Sequence, residues 1–243
     1  MSATLLLVGH GSHLNAHSSE AVHAHALRLA EQGAYAEVRV AFWKEEPALS
    51  RALDGCGTSD VVVVPVFMSE GYFTNEVIPA ELGLDGPGAR RDAGTVRVTR
   101  PVGVHPSLAD IVVRRALDAG ACERHAVFVL GHGTPRNPAS SRNVYAQVER
   151  VRATDRFAEV IAVFTDQDPN VAEIGTLTER DRITVVPFFA AEGWHVGETI
   201  RSQTARGDRT SGPADGRVRY TAPVGTHPAI AEVIEELARE AAN

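Results

Sequence analysis

Phe128-Val-Leu-Gly-His-Gly-Thr134 is the stretch from which the fold can be read. Apolar residues run straight into Gly-His-Gly, the pattern of a buried strand that stops in a tight turn. The imidazole of His132 is then projected from the strand's carboxyl end. Glycines on both sides let the backbone turn and leave the ring open to a ligand. The same phrase stands earlier as Leu6-Leu-Val-Gly-His-Gly-Ser12, with His10 in the equivalent place.

The two phrases belong to a repeat of constant offset. His132 follows His10 by 122 residues, Pro187 follows Pro65 by 122, and His227 follows His105 by 122. Between these marks, Val63-Val-Pro-Val-Phe67 matches Val185-Val-Pro-Phe-Phe189, and Glu70-Gly71 matches Glu192-Gly193. Pro101-Val-Gly-Val-His-Pro106 matches Pro223-Val-Gly-Thr-His-Pro228. A shared register of this length without a gap predicts two copies of one fold, residues 1–121 and 122–243.

Within each copy short apolar strands alternate with helical segments. In the first, 4–8 reads as a strand, and Ser18 or Ser19 caps a helix to about Gly33 with Val22, Ala26 and Leu29 at helical spacing. A second strand covers 38–42, and Pro47 predicts a short helix to about Asp54. Residues 61–67 are nearly all valine, apolar on both faces, as in a parallel sheet covered by helices. A helix around Pro79 (74–82), a Gly/Asp/Pro-rich loop (83–95), a fourth strand (96–99) and a closing helix (106–119) complete the copy. The second copy repeats this plan, with its own loop at 206–216. The alternation predicts an α/β protein of two similar doubly wound parallel-sheet domains arising from internal duplication.

Composition narrows the function classes. A hydrophobic content of 44% with 23% charged residues is that of a globular protein. The net charge of −7 argues against nucleic acid as partner. No apolar run reaches the ~18 residues of a membrane span, so no membrane association is expected. The first residues lead directly into a strand, which predicts no signal peptide and a cytoplasmic location. Cys56 and Cys122 are the only cysteines, too few for a disulfide framework or a cysteine-held cluster. Two fused copies suit a monomer or a homodimer.

In such sheets ligands bind beyond the carboxyl ends of the strands. In the second copy His132 follows the first strand, Asp166 the second, and Glu192 and His195 the third. Two imidazoles and a carboxylate suit a first-row divalent metal. The first copy keeps His10 but has Lys44 where the second has Asp166, and Phe73 where it has His195. A cation and an aromatic ring cannot act as those ligands, so the first copy lacks a complete two-histidine set.

Taken together, the duplicated Gly-His-Gly-Ser/Thr opening, the Val-Val-Pro strand and Glu192-Gly-Trp-His-Val196 resemble the class II tetrapyrrole chelatases. The closest resemblance is to the CbiX-type sirohydrochlorin chelatase family, and it covers essentially the whole chain. It implies insertion of a divalent metal (cobalt, iron or nickel), consumed as substrate, into a sirohydrochlorin-like macrocycle in an interdomain cleft. It also implies that no nucleotide is used, in keeping with the absence of a Gly-x-x-x-x-Gly-Lys phosphate loop. The family's first histidine falls on His10 and His132, its second on His195, and its acidic residue on Asp166, where glutamate is usual.

On that resemblance His132 and His195 hold the metal and take up the two pyrrole protons, with Glu192 as a further ligand. Asp166 supplies charge or orients an imidazole, and Glu192 or Glu198 passes protons to solvent. Arg136, Arg142, Arg201 and Lys44 are candidates to clamp substrate carboxylates. Trp194 and Phe73 are candidates to pack on the ring face.

Plainer readings stand beside these. His132 and His195 can each satisfy a backbone group at a turn. His105 and His227 precede helix-opening prolines and read as turn residues. His13, His17, His23 and His25 read as a solvated helix face, and Lys44 as a solvated charge. Two further classes are a non-catalytic tetrapyrrole or metal carrier on the same scaffold, and a phosphate-handling enzyme. Histidine phosphatases place arginine immediately before His-Gly, where this chain has Gly9 and Gly131, which disfavours the last.

Overall fold

Leu5, Leu6, Leu7 and Val8 are wholly buried in the central strand β1 (Thr4–Gly9) of the first sheet. The chain is seen here in a computed structural model that describes residues 3–13, 16–56, 60–84, 88–91, 94–134, 138–192 and 217–242. β1 pairs in parallel with β2 (Glu37–Phe42) on one side and β3 (Val61–Pro65) on the other. α1 (Glu20–Glu31) buries Val22, Ala26 and Leu29, the residues at helical spacing in the sequence.

Two local expectations are corrected. The loop placed at 83–95 contains β4 (Gly88–Arg91), which pairs antiparallel with β5 (Gly94–Val98), itself parallel to β3. The outer edge of β5 offers unpaired backbone groups that even a polar segment can satisfy, so no apolar alternation announced β4. The sheet order is β2-β1-β3-β5-β4. The short helix expected from Pro47 is a single 3-10 turn, Leu49–Arg51. The Glu46–Pro47 bond is cis, and the Pro47 carbonyl accepts the Phe42 amide at 2.8 Å, so the chain continues the pairing of β2 there. By contrast Pro79 sits in the first turn of α2 (Ile78–Glu81), where a missing N–H costs nothing. A π-helical turn, Phe73–Val77, runs into it.

The second sheet repeats the plan. β6 (Ala126–Gly131) lies between β7 (Glu159–Phe164) and β8 (Ile183–Pro187), and β9 (Val218–Tyr220) follows β8. All pairings in it are parallel, in the order β7-β6-β8-β9. α4 (Pro138–Arg152) packs on β6 and β7. The core of this sheet includes Phe128, Leu130, Val163, Val171 and Val185; Leu6, Val8, Val61, Val63 and Ile78 hold the same role in the first.

The closing helices do not stay with their own copies. The compact units are residues 1–105 with 228–243, and residues 106–227. α3 (Leu108–Asp118), the closing helix of the first sequence copy, packs on the second sheet and on α4. α5 (Ile230–Ala242), the closing helix of the second copy, packs on β3 and α1. The sequence repeat and the compact units therefore divide the chain differently. Among the described residues no helix is long and apolar enough to cross a membrane.

Candidate functional site

At the carboxyl end of β6 the chain turns at once, and the turn is closed by the residues after β7. The His132 carbonyl accepts the Asp166 amide at 3.0 Å and the Thr165 hydroxyl at 3.1 Å. Gly133 has φ +63°, and a Cβ there would stand 2.4 Å from Gln167 Cγ. The left-handed backbone there favours glycine, and any Cβ would also force the Gln167 side chain to shift. The His132 side chain is left exposed, its ring tilted against Phe189 at a centroid distance of 4.4 Å. The histidine is thus backed by an aromatic ring on an otherwise pinned backbone, with Asp166 exposed beside it in the chain's path.

Glu192 follows β8 and is exposed, and Arg142 lies exposed on α4. His195, Trp194, Glu198 and Arg201 lie outside the described residues, as does Arg136. Among the described residues no group of three or more His, Cys, Asp or Glu is placed to hold a metal ion. His132, Asp166 and Glu192 therefore do not make a cage by themselves.

The first unit has a different surface at the equivalent edge. His10 Nδ1 lies 2.8 Å from the Gly11 carbonyl. Its ring meets Phe73 edge-on at 5.0 Å and Trp43 at 5.5 Å. Trp43 and Phe73 pack at 4.8 Å, Phe67 stacks on Phe73 at 5.9 Å, and Tyr72 adjoins it at 6.1 Å. The Lys44 ammonium stands 3.5 Å over the Trp43 ring, a cation–π contact. The reading of Lys44 as a merely solvated charge is corrected accordingly. The exposed His10 ring is flanked by Trp43 and Phe73, with Lys44 and Phe73 at the positions where the second copy has Asp166 and His195.

Other histidines resolve by burial. His25 is 2% exposed, which corrects its placement on a solvated helix face: that position is on the buried stripe of α1. His105 is buried at the turn before Pro106, its Nε2 3.5 Å from Glu236 and 4.0 Å from Glu240 on α5. Sequence reasoning missed Trp43 and Phe189. The available signal was position, since Trp43 follows directly on β2 and Phe189 comes two residues after β8.

It also missed Arg115 on α3. Its Nη2 donates to the Pro223 carbonyl at 3.1 Å and to the Thr226 hydroxyl at 2.8 Å. Burial pulls its guanidinium below the ordinary arginine range, an effect opposed by the charges of Asp118 and Glu192.

With this geometry in view, the comparisons with known proteins are consistent across the chain. The CbiX family model matches twice, at residues 4–119 and 126–241. A probable sirohydrochlorin cobaltochelatase of Halobacterium salinarum is 39% identical over 265 aligned positions, covering 98% of this chain and 91% of that one. A sirohydrochlorin cobaltochelatase of Methanococcoides burtonii is 33% identical over 125 residues, 47% of this chain and 94% of its own. A multi-domain protein of Deinococcus radiodurans with structural similarity to chelatases superposes with a TM-score of 0.83 at 30% identity. The superposition takes in 98% of this chain, which spans about half of that longer protein (54%). The sirohydrochlorin chelatase SirB of Bacillus subtilis in complex with cobalt superposes at TM-score 0.77 and 20% identity, over 100% of this chain and 96% of SirB, a likeness of fold.

Proposed function

We propose, on the premise that this chain belongs to the CbiX family, that it is a metal chelatase inserting a divalent metal, cobalt foremost, into sirohydrochlorin without a nucleotide. The observation that carries the reading is His132. Its ring is exposed at the carboxyl end of the central strand and backed by Phe189, and its backbone is locked by Thr165 and Asp166. A pre-set imidazole of this kind binds a first-row ion without reorganising, or accepts a proton at neutral pH.

The roles follow from what insertion requires. The macrocycle must lose two pyrrole N–H protons as the metal enters. His132 and His195 hold the incoming ion and accept those protons. Asp166 supplies negative charge beside them, and Glu192 is the further ligand or the proton's exit. Arg136, Arg142 and Arg201 pair with substrate carboxylates, and Trp194 lies on the ring face. In the first unit Phe73, with Trp43 beside it, offers an apolar surface to the macrocycle, and Lys44 offers a cation. Iron and nickel are the competing ions.

The test is anaerobic insertion of Co²⁺, Fe²⁺ and Ni²⁺ into sirohydrochlorin, followed by absorbance, with no nucleotide present. Wild type should accelerate Co²⁺ insertion, and His132→Ala should lose about 10²-fold or more of the rate. A wild-type protein that binds metal and macrocycle yet inserts no faster than solution is a carrier, and the reading fails.

A further inference from the structure

Lys44 is the only lysine in a chain with 24 basic residues; every other one is arginine. Two glutamates follow it in the sequence, and both are engaged elsewhere. Glu45 Oε2 accepts the Ser12 amide at 2.9 Å. Glu46 accepts the Ala48 amide at 2.9 Å and Arg51 Nη2 at 3.1 Å. Among the described residues Lys44 makes no ion pair, and its ammonium stands 3.5 Å over the Trp43 ring. A ring face attracts a cation but gives its N–H groups no oxygen or nitrogen acceptor. The charge of Lys44 is therefore held in place without being neutralised.

Trp43 is itself fixed. Its amide donates to the Gly9 carbonyl at 3.3 Å, and the Lys44 amide donates to the His10 carbonyl at 2.9 Å, so the pair is fastened to the turn that carries His10. The indole meets Phe73 at 4.8 Å and His10 at 5.5 Å, both edge-on, with interplanar angles of 72° and 66°. A lysine held against such a ring has already given up side-chain freedom that a free one would lose on meeting a ligand.

The repeat supplies the comparison within the same chain. Positions 165 and 166, equivalent to 43 and 44, are Thr165 and Asp166. The Asp166 amide donates to the His132 carbonyl at 3.0 Å, as the Lys44 amide does to the His10 carbonyl. One backbone frame thus presents a carboxylate at the second edge and an ammonium at the first. The first suits an anion, and Phe73, half-buried beside the pair, suits an apolar ring carrying that anion.

We infer that Lys44 binds a peripheral carboxylate of the macrocycle and that Trp43 is the positioning residue that holds its ammonium for that contact. The pair then selects a carboxylate-bearing macrocycle over a neutral one of the same ring. The inference rests on the function proposed above and gives Trp43 a role through Lys44, since the ammonium occupies a face of its ring.

The test uses the full chain, no metal ion, and two probes: metal-free sirohydrochlorin and its derivative with every carboxylate converted to a neutral carboxamide. Affinities are read by absorbance titration. K44M should weaken binding of the acid by about tenfold, the scale of one charge-assisted hydrogen bond. W43L should weaken it by about threefold, the scale of an exposed cation–π contact. W43L/K44M should bind the acid no more weakly than K44M, and neither substitution should weaken binding of the carboxamide. Should W43L not fold, W43F, which keeps a weaker ring face, must show the same selective loss at about twofold. Because Lys44 is the only lysine, acylation by an amine-selective reagent, mapped by peptide mass, reports it directly, and sirohydrochlorin must slow that modification. Losses in W43L and K44M that multiply in the double variant, or a carboxamide weakened as much as the acid, make Trp43 a structural or ring-face residue and overturn the positioning role. Unprotected Lys44, or acid binding unchanged in K44M, overturns the carboxylate site. A wild type that shows the expected binding pattern but inserts no metal overturns the function proposal and leaves this site standing.

Discussion

Replacing Gly225 with alanine should damage stability and catalysis together. The added Cβ would meet three backbone atoms of Ala190, its O at 2.3 Å, Cα at 2.4 Å and C at 2.5 Å. Ordinary contact is about 3.4 Å or more, so the two segments must part by about 1 Å, and no side-chain rotation can relieve it. Overpacking of this kind, with a weakened Gly225 N–H to Phe189 carbonyl bond, costs about 3 kcal/mol. For a chain of this size that lowers the melting temperature by about 6–12 °C. The displaced segment carries Phe189, against which His132 rests, and a shift of that order in a positioned group costs up to about 10²-fold in rate. Gly103→Ala supplies the control. Its Cβ would meet Met68 backbone at 2.2 Å, an equal steric insult, but at the edge where Phe73 and Lys44 stand at the positions of His195 and Asp166. Thermal unfolding with Co²⁺ insertion kinetics on both variants is the assay. The reasoning is refuted if G225A melts within about 2 °C of wild type, or if G103A loses as much kcat as G225A.

Three further outcomes are expected. His10→Ala should leave kcat near wild type while His132→Ala loses most of it, read from steady-state Co²⁺ insertion, because Lys44 and Phe73 leave His10 without carboxylate and imidazole partners. Phe73→Ala removes the ring that His10, Trp43, Phe67 and Tyr72 all meet, and should lower stability by about 2 kcal/mol, measured by urea unfolding, and raise KM for the macrocycle. Hydrogen bonds from Thr178 and then Arg180 hold the Glu159 carboxyl below its ordinary pKa, so its contribution is present above the usual carboxylate range and is lost as pH falls through the lowered value. Glu159→Gln should therefore be less stable than wild type at pH 7, with the gap closing in acid; a constant gap across pH would contradict this.

Much of the fold and part of the site were legible before any coordinates. The run Val61–Val64 announced a strand buried on both faces, and it is buried on both. His132 stood at a strand's carboxyl end because Gly131 and Gly133 can bring the chain round there. The aromatic cluster beside His10 was only half legible. Phe73 was visible as a departure from the repeat, but Trp43 and Phe67 join it through packing between strand ends that no local spacing encodes. Arg115 was invisible, since an arginine on an amphipathic helix reads as a surface charge until its neighbours are known.

The sequence by itself determined the duplication, the parallel α/β character and the asymmetry of the two edges, because each is written in residue identity at a constant offset of 122. Only the tertiary structure decided which sheet each closing helix covers. α3 and α5 both present a buried apolar face, Leu108, Ile111 and Val112 in one and Ile230, Val233 and Ile234 in the other. That periodicity says a helix must bury a face, but two sheets whose four parallel strands follow the same order offer similar surfaces. Hydrophobic burial is non-directional, so the choice rests on the path of the chain through 105–107 and 227–229 and on contacts such as Arg115 with Thr226 and His105 with Glu236, which exist only after the exchange is made.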